Sequence, residues 1–204
     1  MMRVFLAIEL SSIVRERIAA LQDELKARIP PGAGVRWVRP ENLHLTLRFL
    51  GDVTPSVVSA LVETLPEGVR GCQPFSFSLR GGGCFPNAKR PRVAWVGVDP
   101  VPDDLCRVQR AADEAVRHHG FPPEGRGFEP HLTIARFKTS KTLEKSVPPL
   151  MTALEEHDFG ETRVSEIVLF ESRLSDTGAN YHVVERVRLN GLDGLSGTGR
   201  EQLV

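Results

Sequence analysis

Hydrophobic and polar positions follow two different periods along the chain. Short runs rich in β-branched and aromatic residues, such as "RVFLAIEL" at 3–10, predict strands. Segments with apolar residues three and four positions apart, such as Val14 to Ile29, predict amphipathic helices. Strands are predicted at 3–10, 35–38, 44–50, 75–81, 92–98 and 131–137, followed by a hairpin of 163–174 and 181–189. Helices are predicted at 14–29, 54–65 and 105–119, with Asp103 or Asp104 as the cap of the third, and a loop with a short helix at 141–157.

Two glycine-rich stretches stand outside this pattern. The segment "GGGCFPN" at 81–87 lacks the Gly-Lys-Ser/Thr ending of a phosphate-binding P-loop. It therefore predicts a flexible turn between two strands. Residues 191–204 are rich in glycine and polar residues and predict a mobile tail. We expect residues 1–190 to form a single domain.

One octapeptide recurs in the second half of the chain. The sequence "HLTLRFLG" at 44–51 is echoed by "HLTIARFK", which begins at 131, and each copy follows a predicted long helix. The spacing is too long for a solenoid repeat. The pattern instead suits an α+β protein of two lobes related by pseudo-twofold symmetry, with the two motif strands facing each other across a cleft.

Each copy places a histidine and a threonine on one face of its strand. Side chains alternate along a strand, so His44 and Thr46 point the same way, as do His131 and Thr133. Two imidazoles across a cleft suit general acid–base catalysis near neutral pH, one removing a proton and the other supplying one. Threonine hydroxyls can donate hydrogen bonds to an anionic oxygen that gains charge in the transition state. This set fits a phosphodiester held in line between two bases.

Composition limits the other chemistries. Zinc normally needs three or four protein ligands, and neither motif supplies Cys, Asp or Glu at ligand spacing, so no metal is expected. The three cysteines, Cys72, Cys84 and Cys106, form no C-x-x-C pair and indicate small buried residues in a reducing compartment. Lys plus Arg equals Asp plus Glu at 26 each, which argues against a broad non-specific nucleic-acid groove. The N-terminal apolar run is too short to span a membrane and lacks the cleavage region of a signal peptide, so a cytoplasmic protein is expected.

The tandem H-x-T-x motifs resemble the signature of the 2H phosphoesterase superfamily. Within it, the chain is similar to the bacterial and archaeal RNA 2′,3′-cyclic phosphodiesterases, also called 2′-5′ RNA ligases. The similarity extends to "RVFLAIEL", "VRWVRPENLHLTLRFLGDV", "GGGCFPNAKRPRVAWVGV", "GFEPHLTIARFK" and "VSEIVLFESRLSDTGANYHVV", and covers about residues 3 to 187. The resemblance implies a bilobal α+β fold with two antiparallel sheets flanking a central cleft and helices on the outside.

The resemblance also implies roles for the motif residues. His44 would be the proton donor, protonating the departing 3′ oxygen, and His131 the proton acceptor, activating water. Thr46 and Thr133 would hold the phosphate oxygens. Spacing alone does not decide which histidine is acid and which is base, and microscopic reversibility exchanges the roles in the ligating direction.

Three further residues are candidates for substrate binding. Arg136 matches the arginine of the family's H-x-T-x-x-R pattern, but strict alternation puts it on the face opposite His131, so a bulge or strand end just after Ala135 would be needed. Arg48 lies on the His44 face by the same parity, as a phosphate-steering cation or a solvated rim residue. Phe85 could stack on a base.

These observations favour a metal-independent, cofactor-free hydrolase acting on RNA that ends in a 2′,3′-cyclic phosphate, tRNA fragments among them. The expected product is a 2′-phosphomonoester, with reversible 2′-5′ ligation as a second direction. Another cyclic phosphate, such as ADP-ribose 1″,2″-cyclic phosphate, is an alternative substrate. A non-catalytic RNA-end binder is the alternative from another class, although a pure binder needs no paired acid and base. A monomer with no membrane association is expected.

Overall fold

Two antiparallel sheets, each carrying one copy of the motif, form the framework of the molecule. The computed structural model describes residues 1–29, 32–125, 127–138, 143–155, 157–175 and 178–190. Its strands are β1 (Met2–Glu9), β2 (Val35–Trp37), β3 (His44–Val53), β4 (Phe75–Phe85), β5 (Val93–Val98), β6 (His131–Phe137), β7 (Asp158–Val164), β8 (Glu166–Ser175) and β9 (Gly178–Arg188). The first sheet has the order β3-β1-β8-β9 and the second the order β2-β6-β5-β4-β7. The predicted α+β fold with two antiparallel sheets is confirmed.

Four helices are described, and their starts follow local capping rules. They are α1 (Ser12–Arg28), α2 (Pro55–Gly68), α3 (Asp103–Arg117) and α4 (Leu143–Glu155). The hydroxyl of Ser11 accepts a hydrogen bond from the Val14 amide and so caps α1. Pro102, not an aspartate, is the N-cap of α3. Asp103 and Asp104 lie instead in its first turn, where negative charge favours the helix dipole.

The strands separate a core face from a cleft face. On β1, the core face carries Val4, Leu6 and Ile8, which join the main core with the buried sides of the helices. The opposite face forms a second, smaller cluster that consists of Phe5, Ala7, Val168 and Phe170. Apolar burial is therefore present on both faces of this sheet, and the second cluster packs against His44, which begins β3.

Helix α4 contradicts the predicted loop at its start. The helix begins at Leu143 and continues through Pro148 and Pro149. Beyond them, Leu150 and Leu154 are fully buried in the main core, where α4 packs on β4. Tertiary burial thus offsets the local cost of proline in a helix interior.

The segment "GGGCFPN" is not a turn, because residues 81–85 continue β4. Gly82 and Gly83 pair with Val96 and Trp95 of β5. A β-carbon on Gly83 would lie 2.6 Å from the Trp95 indole, and one on Gly82 would lie 2.3 Å from the Trp95 carbonyl oxygen. The glycines therefore allow β4 to approach β5 closely while the Trp95 ring lies across it.

Strand β7 was not predicted from the sequence. It pairs with β4 in the second sheet, so that the predicted strand 163–174 is divided between the two sheets. A register shift and Gly160, whose φ is 93°, interrupt the alternation of β7 and obscure its strand pattern. The predicted tail, 191–204, lies outside the described residues.

Candidate active site

The two motif histidines are held by the same backbone device. His44 and His131 are the first residues of β3 and β6. The Nδ1 atom of His44 lies 2.8 Å from the Asn42 carbonyl oxygen, and that of His131 lies 2.8 Å from the Glu129 carbonyl oxygen. Because a carbonyl can only accept, each Nδ1–H donates to the residue two positions earlier. Nε2 of each ring is then the atom left to exchange a proton with a substrate.

Aromatic rings surround both imidazoles. The ring centroid of His44 lies 4.8 Å from that of Phe5 and 5.1 Å from that of Tyr181. The ring centroid of His131 lies 5.0 Å from that of Phe85, which stacks on Trp95. Each imidazole is therefore oriented by a backbone carbonyl and by aromatic packing, and this arrangement restrains its rotation.

The position of His44 also depends on the β8–β9 hairpin. A 3-10 turn at Pro40–Asn42 precedes His44. The Asn42 side-chain amide donates a hydrogen bond of 2.7 Å to the Ala179 carbonyl oxygen, and Arg39 donates one of 2.9 Å to the same oxygen. The carbonyl group that holds His44 is therefore fixed to the start of β9.

Burial keeps His44 neutral in the substrate-free protein. Loss of hydration lowers its pKa from 6.5 to about 4, against the hydrogen bond to Asn42, which raises it. The positive charge of Arg136 lowers this pKa further. At pH 7 the Nε2 atom of His44 is therefore an acceptor. Because Arg136 belongs to the second motif, its effect on His44 places the two motifs within electrostatic reach of each other.

A β-bulge brings Arg136 to the His131 face. Ala135 pairs with Ala94 but Thr133 pairs with Trp95, so Ile134 is an extra residue on β6. Ile134 and Ala135 are both buried and Arg136 is exposed, whereas strict alternation from the half-buried Thr133 would have buried Arg136. The bulge that the sequence required thus lies one residue earlier than expected.

A corresponding bulge in β3 changes the face on which Arg48 lies. Arg48 pairs with Leu6 but Thr46 pairs with Ala7, which leaves Leu47 as the extra residue. Parity reverses after Leu47, so Arg48 does not share the face of His44 as alternation predicted, although its side chain lines the cavity that Thr46 and His131 also line. Arg48 is 6% exposed.

The charge of Arg48 is already neutralised within the protein. Its guanidinium forms ion pairs of 3.2 Å with Asp113 and 2.6 Å with Glu124. It also donates a hydrogen bond to the Pro122 carbonyl oxygen. Arg48 therefore ties β3 to α3 and to the segment before β6, and it is not a free cation for phosphate.

Phe49 takes the cleft position that parity had assigned to Arg48. It pairs with Phe5, is 62% exposed, and stands in its motif where Arg136 stands in the other. Sequence reasoning missed Phe49, because the bulge that turns it into the cleft is visible only in the pairing of β3 with β1.

A cavity of about 900 Å³ adjoins the motifs and is lined from both sheets. Thr46 of β3 and His131 of β6 both contribute to its wall, as do Phe49 and Phe85. Phe85 thus lies where the sequence prediction needed it, although its stacking role remains a prediction. The volume is within the range typical of small-molecule sites.

The threonine hydroxyls are available to a ligand. Thr46 and Thr133 are half-buried on the faces of His44 and His131, and neither hydroxyl has a hydrogen-bond partner in the part of the chain that the structure describes.

Across the same described ranges, no three His, Cys, Asp or Glu side chains converge as a metal site. Among the helices described, none has the length and apolar character to cross a membrane.

Gln22 is a second residue that sequence reasoning missed. It is 1% exposed in α1, and its Nε2 donates hydrogen bonds of 2.9 Å to the carbonyl oxygens of Val38 and Ile134. Ile134 is the bulged residue of β6. Gln22 therefore positions the bulge that turns Arg136 into the cleft, and only its polarity on a helix face that is otherwise buried could have signalled this.

Comparison with known proteins agrees with this geometry. The family model for LigT-like phosphoesterases matches the chain twice, at residues 8–95 and 96–181, once for each motif. The RNA 2′,3′-cyclic phosphodiesterase of Methanothermobacter thermautotrophicus is 38% identical over 92% of this chain and 98% of its own length. The enzyme of the same name from Thermotoga maritima is 34% identical over 93% and 97%.

Solved structures give the same result. A crystal structure of a Thermus thermophilus protein has a TM-score of 0.73 at 28% identity and covers 93% of this chain and 99% of that one. Escherichia coli LigT complexed with 3′-AMP has a TM-score of 0.72 at 27% identity and covers 92% and 98%. Sequence, fold and the paired histidine–threonine motifs agree, and the chain belongs to the LigT-like phosphoesterase family.

Proposed function

We propose that this protein hydrolyses the terminal 2′,3′-cyclic phosphodiester of RNA to a 2′-phosphomonoester, using its own side chains as acid and base. The observation that carries the proposal is the duplicated arrangement of His44 and His131. Each imidazole donates Nδ1–H to a backbone carbonyl and keeps Nε2 for proton transfer. Thr46 and His131 meet at one cavity, so groups from both motifs can act on a single phosphate.

In the proposed reaction, His131 takes a proton from water as the water attacks phosphorus. The bond from phosphorus to the 3′ oxygen breaks, and His44 delivers a proton to that departing oxygen. Hydrogen bonds from Thr46 and Thr133 and the charge of Arg136 stabilise the phosphate oxygens as negative charge accumulates. The same steps with an RNA 5′-hydroxyl in place of water give 2′-5′ ligation, because the 5′ oxygen bonds to phosphorus as the bond to the 3′ oxygen breaks. The reverse of that step, cleavage of the 2′-5′ bond, exchanges the roles of the two histidines.

The donor role of His44 needs a proton that the free protein lacks at pH 7. A bound phosphate places negative charge near His44, offsets Arg136 and so raises the pKa of the imidazole. Substrate binding is therefore expected to take up a proton. Calorimetric titration with a non-hydrolysable phosphate analogue, in buffers of different ionisation enthalpy, measures this uptake. Binding without proton uptake would assign the donor role to His131 instead.

Product analysis on a short RNA with a 2′,3′-cyclic phosphate end tests the activity itself. We expect a 2′-phosphate product, full activity in EDTA, and much slower turnover of ADP-ribose 1″,2″-cyclic phosphate. Formation of a 3′-phosphate, or a loss of activity that zinc restores, would contradict the proposal. Tight RNA binding without turnover would identify a binder. In the cell we propose that the protein acts as a cytoplasmic monomer on RNA ends such as tRNA fragments.

A further inference from the structure

The cavity beside the motifs is much larger than a phosphate requires. Its volume is about 900 Å³, and it extends from Thr46 and His131 towards α3. Three of its lining residues are aromatic, namely Phe49, Phe85 and Phe128. Aromatic faces of this kind stack on nucleobases with little dependence on sequence. Part of the cavity is therefore suited to a flat, partly apolar group attached close to the reacting phosphate.

Gln109 is an uncharged polar residue of the cavity wall, which also carries the charged side chains of Arg48, Arg92, Glu124 and Glu129. Helix α3 buries Leu105, Ala112 and Val116 at the spacing of a core-facing stripe, and Gln109 occupies a position of that same stripe. An apolar residue would be expected there. Gln109 is only 8% exposed, yet it lines the cavity.

The side-chain amide of Gln109 has no hydrogen-bond partner among the described residues. Gln22, the other buried glutamine, donates two hydrogen bonds to backbone carbonyls and has a clear structural task. Among the described residues, the Gln109 amide atoms do not belong to the fully enclosed polar atoms that lack a partner, so they open onto the cavity. The donor and the acceptor of this amide are therefore free to bond to a ligand there.

We propose that the cavity binds the base of the terminal nucleotide, and that Gln109 determines base preference by hydrogen-bonding to its edge. This proposal rests on the proposed function above. The amide presents a donor and an acceptor side by side, which is the arrangement that glutamine uses to recognise a base edge bidentately. Because a buried polar group discriminates strongly against partners that leave it unpaired, a change at Gln109 should alter the ranking of the four bases.

Short RNAs that end in A, C, G or U 2′,3′-cyclic phosphate test the proposal, together with an RNA whose terminal ribose cyclic phosphate carries no base. For the wild type, kcat/KM should differ at least about tenfold among the bases. Gln109→Leu should lower kcat/KM by at least about tenfold for the preferred base and flatten the ranking. It should leave the abasic RNA unchanged. Gln109→Glu, which keeps the shape but loses the donor, should reorder the bases.

Thermal unfolding distinguishes this role from a structural one. Since Gln109 makes no hydrogen bond within the described protein, Gln109→Leu should unfold at the same or a higher temperature than the wild type. An unchanged base ranking in Gln109→Leu, or an equal fall in kcat/KM for all five RNAs, would overturn the inference. If the wild type hydrolyses none of the five, the proposed function itself fails, which is a separate result.

Discussion

At the scale of single residues, the two histidines share a geometry but not an environment. His44 is packed by Phe5 and Tyr181 and loses enough hydration to lower its pKa to about 4. His131 instead lines the open cavity. The duplicated motif therefore yields two imidazoles with different exposure, as an acid–base pair with distinct tasks requires.

Loss of either imidazole should remove activity without unfolding the protein. We expect His44→Ala and His131→Ala each to lower kcat by at least about 100-fold, because a positioned acid or base contributes about that much or more. His182, which is exposed on β9, provides a matched control, and His182→Ala should keep wild-type kcat. Steady-state kinetics with circular dichroism measures both properties. A single mutant with near-wild-type activity would contradict the acid–base assignment.

Arg136 should contribute to the titration of His44 across the cleft. Burial is the main cause of the lowered pKa of His44 and the positive charge of Arg136 a smaller one, so Arg136→Gln should raise that pKa slightly while burial keeps it below 6.5. Titration of the imidazole by NMR measures the shift directly. Arg90→Gln, which changes an exposed arginine of the loop before β5, should leave the pKa of His44 where it is. Equal titration of His44 in both variants would show that Arg136 does not face it.

At the scale of elements, the two β-bulges decide on which face of its strand each arginine lies. Alternation from the motif histidines would place Arg48 in the cleft and Arg136 outside it. Leu47 and Ile134 each add one residue to their strand and reverse both assignments. The same bulge thus produces a structural arginine in one sheet and a cleft-facing arginine in the other.

Replacing each arginine by methionine in turn should separate an effect on stability from an effect on activity. Arg48→Met leaves Asp113 with Arg117 as its ion-pair partner and removes the partner of the half-exposed Glu124, so we expect a loss of about 1–3 kcal/mol in the free energy of unfolding. Arg136→Met removes no ion pair within the described residues and should cost less than about 0.5 kcal/mol, while kcat/KM falls at least about tenfold. Urea unfolding and kinetics on both variants check this. A loss of stability in Arg136→Met together with a loss of activity in Arg48→Met would contradict the bulges at Leu47 and Ile134.

At the scale of the whole molecule, the buried histidine links stability to pH. The unfolded chain binds a proton at His44 below about pH 6.5, whereas the folded protein resists it until about pH 4. Stability from this site is therefore complete above pH 6.5 and is lost as the pH falls towards 4, by up to about 3 kcal/mol. Urea unfolding from pH 4 to 7 should show this slope, and His44→Gln should flatten it. An equally steep slope in the variant would place the linkage elsewhere.

The sequence alone determined the paired motifs, most strands and the α+β class, because side-chain alternation and helical periodicity are local properties of the chain. It did not determine which way Arg48 and Arg136 point, since a bulge arises from pairing with β1 or β5 and not from the bulged strand itself. It also misjudged the glycine stretch of β4, where the Trp95 ring of a neighbouring strand sets the requirement. Hydrogen-bond pairing is also a property of the packed structure. Only the structure therefore shows that Gln22 bonds to the bulge of β6 and that the Gln109 amide lacks a partner among the described residues.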